Sequence, residues 1–351
     1  MKKLSIKYKT SLLIKSKQSL RTHLKSKRLQ NRRKLNEIKR KINEQKSTIV
    51  KIFAPEHFTL HISEKDSLRA ESRNKLLRFI SKIKQSLLEN KRVHISFKNT
   101  NLLAPSGTLL FISEFEKITN EYSNKITIDY PKDDVVEQLF QHIGLLEKMG
   151  LPNRKEITAE QVRCWDFAKG NNVDTSEFKN LFSKYSNAIS EDVSSGLFDS
   201  MSEAVTNSFQ HSCGHQAECN CDKNWWMFAR QQNNTLEVVI YDRGIGIPES
   251  LRRKPELKEW LRAPYERYKK KFDSTMINVA VQSTRSSTKL AHRGKGLRDM
   301  LDFVRDGNIG GFFIFSGAGL FLYSAERKNE TSQDFIVPIS GTLIQWQLSL
   351  N

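Results

Sequence analysis

The chain has 351 residues, of which 38% are hydrophobic, with 58 lysines and arginines, 39 aspartates and glutamates, and four cysteines. This composition predicts a packed core and excludes collagen-like, disordered and disulfide-scaffold classes. The length favours two domains over one. The longest apolar stretch, 310–325, is too short and too interrupted by glycine and serine to span a bilayer, which takes about 20 apolar residues. No secretory signal is evident, so we expect a cytoplasmic protein without a membrane partner.

The positive charge is concentrated in the first 50 residues, which hold 17 lysines and arginines against two glutamates, or +15 of the total of +19. Apolar residues recur there at partly helical spacing, which predicts a weakly amphipathic basic helix beyond about Arg21. A basic arm at 1–50 attracts nucleic acid by releasing the counterions of its phosphates. A solvated helix, or an arm that self-associates or contacts another protein partner, is equally compatible with the charge, so these alternatives stay open.

The segment 56–150 alternates between extended and helical patterns and predicts a small α/β domain. Its predicted strands are 58–62, 93–97 and 126–130, and its predicted helices are 69–88, 106–118 and 135–149. A polar segment at 151–175, rich in asparagine and lysine, is predicted to be a linker.

The remaining segment, 176–351, places its helices early and its strands late. Helices are predicted at 176–189, 195–211 and 296–305, and strands at 225–230, 236–241, 312–315, 319–323 and 342–348. This order predicts an α+β sandwich in which helices cover one face of a largely antiparallel sheet. A long polar excursion separates the strand ending at Tyr241 from the last helix.

Four separated pieces of this second segment carry candidate chemistry. The first consists of Glu203, Asn207 and His211, which lie four residues apart and therefore share one stripe of a helix. The amide oxygen of Asn207 is a suitable ligand for Mg²⁺, and Glu203 could orient or deprotonate a water molecule.

The second piece follows an apolar strand and comprises Asp242, Gly244 and Gly246. Such an acid beside bare backbone could accept the exocyclic amine of adenine.

The third piece opens the helix predicted at 296–305. It consists of Arg293, Gly294, Lys295 and Gly296. Free amides at a glycine-rich helix start attract phosphate, and the two basic side chains add positive charge. The fourth piece is Gly341 with Thr342, whose hydroxyl could bond to a base or a water molecule beside Asp242.

Taken in this order, the four pieces resemble the Bergerat-fold ATP-binding domain of the GHKL group, which includes DNA gyrase, MutL-type repair proteins, histidine kinases and anti-sigma serine kinases. The resemblance covers about residues 176–350 and implies ATP and Mg²⁺ as cofactors. It implies that Glu203 activates water or accepts a proton, that Asn207 binds Mg²⁺, and that Asp242 accepts adenine. It further implies a phosphate loop at 293–296 and a mobile lid at 247–293. Many members work as dimers, so a homodimer is also an open possibility.

The first α/β segment resembles a STAS domain of the anti-sigma-antagonist type. The resemblance rests on the strand before Ala104, on the run APSGTLL that opens the next helix, and on the closing run 136–150. It implies that Ser106 is a candidate phosphoacceptor. Serine at the start of an apolar helix is more often an N-cap, and we favour that role in the unmodified state.

The loop 211–222 contains His211, Cys213, His215, Cys219 and Cys221. These side chains could bind zinc, but their spacing matches no common structural zinc pattern. A surface loop with reduced thiols is therefore the favoured interpretation.

Three functions follow from these features. The leading one is a Mg²⁺-dependent ATPase or nucleotide switch whose lid closure regulates a partner. The second is a protein serine kinase of the anti-sigma type that acts on a STAS-domain serine, because both reactions need the same Glu, Asn and Mg²⁺ geometry. The third is an adaptor that binds nucleic acid through the basic arm without turning over nucleotide.

Overall fold

The computed structural model describes residues 6–46, 49–60, 67–173, 184–185, 189–211, 223–253, 272–282 and 296–350. The predicted helix at 176–189 lies almost wholly outside these ranges. None of the helices that they contain combines the length and the apolar composition needed to cross a membrane.

The basic arm forms a single helix, α1 (Ile6–Lys46), of 41 residues. It begins earlier than the predicted start near Arg21, because the segment contains neither glycine nor proline and is rich in lysine, leucine, arginine and glutamine, which favour helix. At a rise of about 1.5 Å per residue the helix is about 60 Å long. Every side chain from 15 to 37 is exposed, so this part of α1 carries its charge into solvent.

The first module is a mixed α/β layer, as the alternating pattern predicts. Strands β1 (Ile49–Phe53), β3 (Arg92–Ser96) and β5 (Ile126–Ile128) form a parallel sheet in the order β1-β3-β5. The short strands β2 (His57–Phe58) and β4 (Leu102–Leu103) pair in parallel beside it. The two long helices of the module are α2 (Ser67–Leu88) and α3 (Pro105–Glu121).

The predicted helix at 135–149 is wrong as a single element. The chain forms α4 (Asp134–His142) and α5 (Leu145–Lys148), which are separated by Gly144. Gly144 has a φ of 73°, a left-handed conformation that glycine adopts without steric cost and that cannot continue a right-handed helix.

The predicted linker at 151–175 also needs correction. It contains a helical turn, α6 (Glu160–Arg163), and strand β6 (Trp165–Gly170). Strand β6 pairs antiparallel with the next strand of the chain, and it buries Trp165 on one face of the sheet and Ala168 on the other, while Phe167 is exposed. Residues 165–170 therefore belong to the main sheet, where they form an edge strand.

The second module is built on a seven-stranded sheet in the order β11-β10-β9-β12-β8-β7-β6. Its other strands are β7 (Trp225–Gln232), β8 (Thr235–Asp242), β9 (Gly311–Ser316), β10 (Gly319–Ser324), β11 (Asn329–Asp334) and β12 (Thr342–Ser349). Every neighbouring pair is antiparallel. The described helices of this module are α7 (Glu191–His211), α8 (Ile247–Arg253), α9 (Asp273–Gln282) and α10 (Gly296–Asp306).

Alternate residues along each strand give this sheet two buried faces. The front face, which includes Val238 and Ile240 of β8, packs in one apolar core with α7 and α10. The back face, which includes Trp226 and Tyr241, packs in another apolar core with helices of the first module. Residues 105–115 of α3 are all buried, because α3 lies between its own module and the back face. The two predicted modules therefore share a core.

Candidate functional site

A row of polar residues crosses one end of the front face. Asp242 of β8 lies opposite Thr342 of β12, and Thr342 lies opposite Ser316 of β9, so the three side chains share a face. The hydroxyl oxygens of Ser316 and Thr342 are 3.1 Å apart, and Ser316 Oγ donates to the carbonyl of Gly341 at 2.9 Å. The amide of Ile247 donates to Ser316 Oγ at 2.9 Å. The start of α8 is thereby fixed to the end of this row.

Asp242 is the acid of this row, and its pKa is shifted by its surroundings. The backbone amide of Gly244 donates to Asp242 Oδ1 at 2.7 Å, and the amide of Thr342 also bonds to the carboxylate. Burial nevertheless raises the pKa of Asp242 from 3.8 to about 6, because the loss of hydration outweighs the two amide bonds. Among the described residues, no side chain donates a hydrogen bond to this carboxylate. Its remaining acceptor capacity is available to a ligand.

Two glycines keep the backbone beside Asp242 free of side chains. Gly341 has a φ of 68°, and a Cβ there would lie 2.0 Å from the carbonyl oxygen of Asp242. Gly246 has a φ of 81°, and a Cβ there would lie 2.9 Å from Ser316 Oγ. Any larger residue at either position would meet both backbone strain and a steric clash. Both glycines were predicted from the sequence, but Ser316 was not. A hydroxyl residue at the end of an apolar strand was the single sequence feature that could have pointed to it.

A second polar cluster forms where α7 meets α10. Asn207 donates a side-chain hydrogen bond to Glu203 one turn away, as their spacing predicts. A Cβ on Gly296 would lie 2.1 Å from Glu203 Oε1, so the first residue of α10 directly contacts this carboxylate. Burial raises the pKa of Glu203, the bond from Asn207 partly lowers it, and the charge of Asp299 raises it further.

The two clusters border the same apolar core. Ile240, two residues before Asp242, packs in this core with Ala204, which is adjacent to Glu203. Leu297 of α10 and Ile247 of α8 pack against it as well. The structure thus places Glu203, Asn207 and Gly296 in one cluster and Asp242, Gly246 and Thr342 in another, both on the front-face layer.

Several predicted positions lie outside the described residues. They include Arg293, Gly294 and Lys295, and the three cysteines and His215 of the loop 211–222. The helix α7 ends at His211, but its side chain is also outside the described set. Within the part of the chain that is described, no group of three or more His, Cys, Asp or Glu side chains is arranged to hold a metal ion. Asn207 and Glu203 supply oxygen donors of the kind that Mg²⁺ prefers.

The predicted lid at 247–293 contains an anchored part. The amide of Asp273, at the start of α9, donates to Asp334 Oδ1 at 2.8 Å, and Asp273 Oδ2 accepts from the amide of Ala318 at 2.8 Å. Arg252 of α8 pairs with Asp273 Oδ1 at 2.6 Å. These bonds attach α8 and α9 to the edge of the sheet.

Ser106 lies on the back-face side of the sheet, opposite the face that carries both clusters. It is only 2% exposed. The prediction that it caps α3 is wrong, because the cap position is Ala104, Pro105 occupies the first helical position, and the described cap has no side-chain hydrogen bond. Proline suits that position because it has no amide to satisfy, and its fixed φ matches the helix.

Comparison with protein-family models and with curated proteins found no match to this chain.

Proposed function

We propose that the second module binds ATP and Mg²⁺ on its front face as a Bergerat-fold domain, and that the first module is a STAS-like regulatory or partner domain. The architecture supports this proposal, since an antiparallel sheet with helices on one face carries the four predicted pieces at the ends of its elements. Nucleotide turnover is proposed to be slow, so that ATP acts mainly as a switch.

The observation that carries the proposal is the environment of Asp242. A buried carboxylate with spare acceptor capacity, next to two glycines that leave the backbone bare, suits a flat ring that presents an amine. Adenine has such an amine at C6. The hydroxyls of Thr342 and Ser316 lie in the same row and could bond, directly or through water, to the ring nitrogens.

The cluster of Glu203, Asn207 and Gly296 supports the phosphate and metal half of the site. Helix α10 has 11 residues and begins at Gly296, so its first amides and its dipole favour an anionic group there. Asn207 would hold Mg²⁺, which would neutralise phosphate charge when bound. The raised pKa of Glu203 suits a group that accepts a proton from water.

The switch is favoured over phosphorylation of Ser106 in the same chain. The hydroxyl of Ser106 belongs to a residue that is 2% exposed beneath the back face, and the proposed nucleotide site is on the opposite face. Kinase activity toward a partner's serine stays the alternative. Incubation with γ-labelled ATP separates the two, because hydrolysis releases the label as phosphate and kinase activity leaves it on protein.

The basic arm supports nucleic acid as the partner of this switch. Five cations fall on one side of α1 at spacings of three or four residues, namely Lys17, Arg21, Lys25, Arg28 and Arg32. All five are exposed. We therefore expect affinity for nucleic acid to fall steeply with salt and to disappear when residues 1–46 are removed. Salt-independent binding that survives the deletion would point to a protein partner instead.

The test of the nucleotide site is the variant Asp242→Asn, measured by isothermal titration with Mg²⁺-ATP. Asparagine keeps the size of the side chain but replaces one acceptor oxygen with a donor amide, so we expect affinity to fall at least about 100-fold. Asp306→Asn, at an exposed aspartate, is the matched control and should bind normally. ITP, which has a carbonyl in place of the amine, should bind the native protein poorly. Equal binding of ATP by the Asp242 variant and the native protein would refute the site.

A further inference from the structure

A cavity of about 780 Å³ lies on the opposite side of the sheet from the proposed nucleotide site. Its walls come from the loop before β2, from α2, from the first turn of α3 and from the back face of β8 and β12. Its volume falls within the usual range of small-molecule sites, about 300 to 1,000 Å³. Neither the ATP proposal nor the basic arm uses it.

Four neutral polar side chains line this cavity without a hydrogen-bond partner among the described residues. They are the amides of Asn99, Gln345 and Gln347 and the hydroxyl of Ser106. Gln345 gives the strongest evidence for a polar ligand, because it is only 4% exposed and its Oε1 atom is buried without a hydrogen-bond partner among the described residues. Leaving such a group unpaired is unfavourable, so a buried amide that faces a cavity is suited to contact a polar molecule there.

The charged groups that line the cavity are mostly paired. Lys75 pairs with Glu71 at 3.0 Å, and Glu237 accepts from Arg230 Nε, outside the lining, at 3.0 Å. Glu56 lies at the exposed rim, and His57 Nδ1 lies 3.5 Å from Ser72 Oγ. Among the described lining residues, the single lysine is thus paired with a carboxylate and there is no arginine, so the lining favours a neutral ligand over an oxyanion, although α3 begins there without a side-chain cap.

The apolar part of the lining is small. It consists of Ala54, Pro55, Leu102, Ala104 and Pro105, and no Phe, Tyr or Trp side chain of the described chain contributes to it. The imidazole of His57 is the single aromatic ring among the described lining residues, so a flat heterocycle would find little stacking surface, and a lipid tail would find little apolar area. Each amide, by contrast, offers two donor hydrogens and an acceptor oxygen, and the serine hydroxyl can act as either partner.

From this lining we infer that the cavity binds a small, uncharged molecule rich in hydroxyl groups, a sugar or polyol, with Gln345 and Ser106 as its deepest contacts. Hydroxyl groups donate and accept at once, so they can satisfy an amide on both sides, which neither an oxyanion nor an ammonium ion can do. The site is separate from the nucleotide site and can be tested independently of it.

The test uses the purified full-length chain and saturation-transfer NMR with four probes: glucose, ribose, myo-inositol and glycerol. We expect at least one probe to bind, and Gln345→Leu to weaken it at least about tenfold. Ser106→Ala should weaken it less, because a hydroxyl contributes fewer bonds than an amide. Gln232→Leu, at an exposed glutamine at the end of β7, is the matched control and should bind like the native chain.

The thermal midpoint and the ATP affinity of Gln345→Leu distinguish a loss of the cavity site from a loss of folding. Replacing an unsatisfied buried amide with an apolar side chain of similar size should leave the thermal midpoint unchanged or raised. ATP affinity should also be unchanged in Gln345→Leu. The inference is overturned if no probe binds up to about 10 mM, a concentration that would reveal even a very weak site. It is also overturned if Gln345→Leu binds normally, or if phosphate or putrescine binds this cavity more tightly than every polyol.

Discussion

At the end of β8, neighbouring side chains that lie on the two faces of the main sheet differ in their hydrogen-bond partners. Tyr241 and Arg243 both reach α3 on the back-face side. The Tyr241 hydroxyl lies 3.1 Å from Glu114 Oε1, and Arg243 Nη1 donates to the carbonyl of Ser113 at 2.7 Å. Asp242, between them, points to the front face, and its donors within the described ranges are backbone amides alone.

The back face around Trp226 forms a packed contact between the two modules, with charged and polar groups that are paired. Glu116 of α3 accepts from Trp226 Nε1 at 2.9 Å and lies 3.7 Å from Lys148 Nζ, and it also pairs with Lys169. Burial alone would raise the pKa of Glu116, but these bonds and charges lower it overall. Buried polar groups that are satisfied in this way stabilise one arrangement, whereas the carboxylate of Asp242 on the front face keeps spare acceptor capacity. Because adjacent residues of β8 point to the two faces, the proposed ligand contact and the module contact lie on one strand.

The largest effect should come from breaking the back face with Trp226→Ala. Trp226 is fully buried, donates to Glu116, and lies under the guanidinium of Arg243 at 4.5 Å. We expect a loss of about 3 to 5 kcal/mol in the free energy of unfolding, measured by urea denaturation. Phe167→Ala, at an aromatic residue that is 37% exposed on the edge strand β6, should cost clearly less. Equal costs would mean that the back face is not a packed interface.

The next effect tests the front face through the pH dependence of stability in Asp242→Asn. The pKa of Asp242 is raised from 3.8 to about 6 in the folded protein, so its folded form holds the proton more tightly than the unfolded chain. The resulting stabilisation is complete below pH 3.8 and is lost as the pH rises through about 6. At pH 7.5 the native protein should therefore be less stable than the variant by about 3 kcal/mol. The two should converge near pH 4, and a pH-independent difference would contradict the burial of this charge.

The same contrast explains which parts of the fold could be predicted from sequence. Helix α7 and strands β7, β8 and β12 were identified within a few residues, because each has a regular apolar face against a core. Strand β11 was missed, since its sequence NETSQD has no apolar residue and it forms the edge of the sheet. Strand β6, at the opposite edge, was missed because its three apolar residues, Trp165, Phe167 and Ala168, do not alternate regularly with polar ones. Edge strands are held by backbone bonds that leave little trace in composition.

The contact between the modules was not predicted at all. The helical pattern of α3 was identified, but its run GTLLFISEF is apolar around most of its circumference. Such a helix is buried on more than one side, and this was the available signal that a second layer covers it. Asp242 and the glycines of the candidate nucleotide site could be singled out from the sequence, because an acid or a glycine directly after or before an apolar strand is conspicuous. Ser316 completes the row only through the register of β9 with β12, which no linear pattern encodes.

A further test of the front face is the variant Glu203→Gln, assayed by release of phosphate from ATP. Glutamine cannot accept the proton, so we expect the hydrolysis rate to fall about 100-fold, or about 2.7 kcal/mol in activation free energy. ATP affinity should change little, because Asp242 and the glycines are untouched. Glu326→Gln, at an exposed glutamate, is the control. An unchanged rate would remove Glu203 from the proposed chemistry while leaving nucleotide binding in place.

The smallest effect should come from Tyr241→Phe, which removes a single hydroxyl from the back face. That hydroxyl has one proton and two acceptors, Glu114 Oε1 at 3.1 Å and the carbonyl of Ser340 at 2.8 Å. Glu114 keeps its ion pair with Lys84, so we expect a loss of only about 1 to 2 kcal/mol in unfolding free energy. Tyr323→Phe, at a buried tyrosine of the front-face core, provides the matched control and should cost less, since no described residue bonds to its hydroxyl. If Tyr241→Phe also weakens ATP binding more than Tyr323→Phe does, the module contact helps to position Asp242, and the two faces of β8 are coupled rather than merely adjacent.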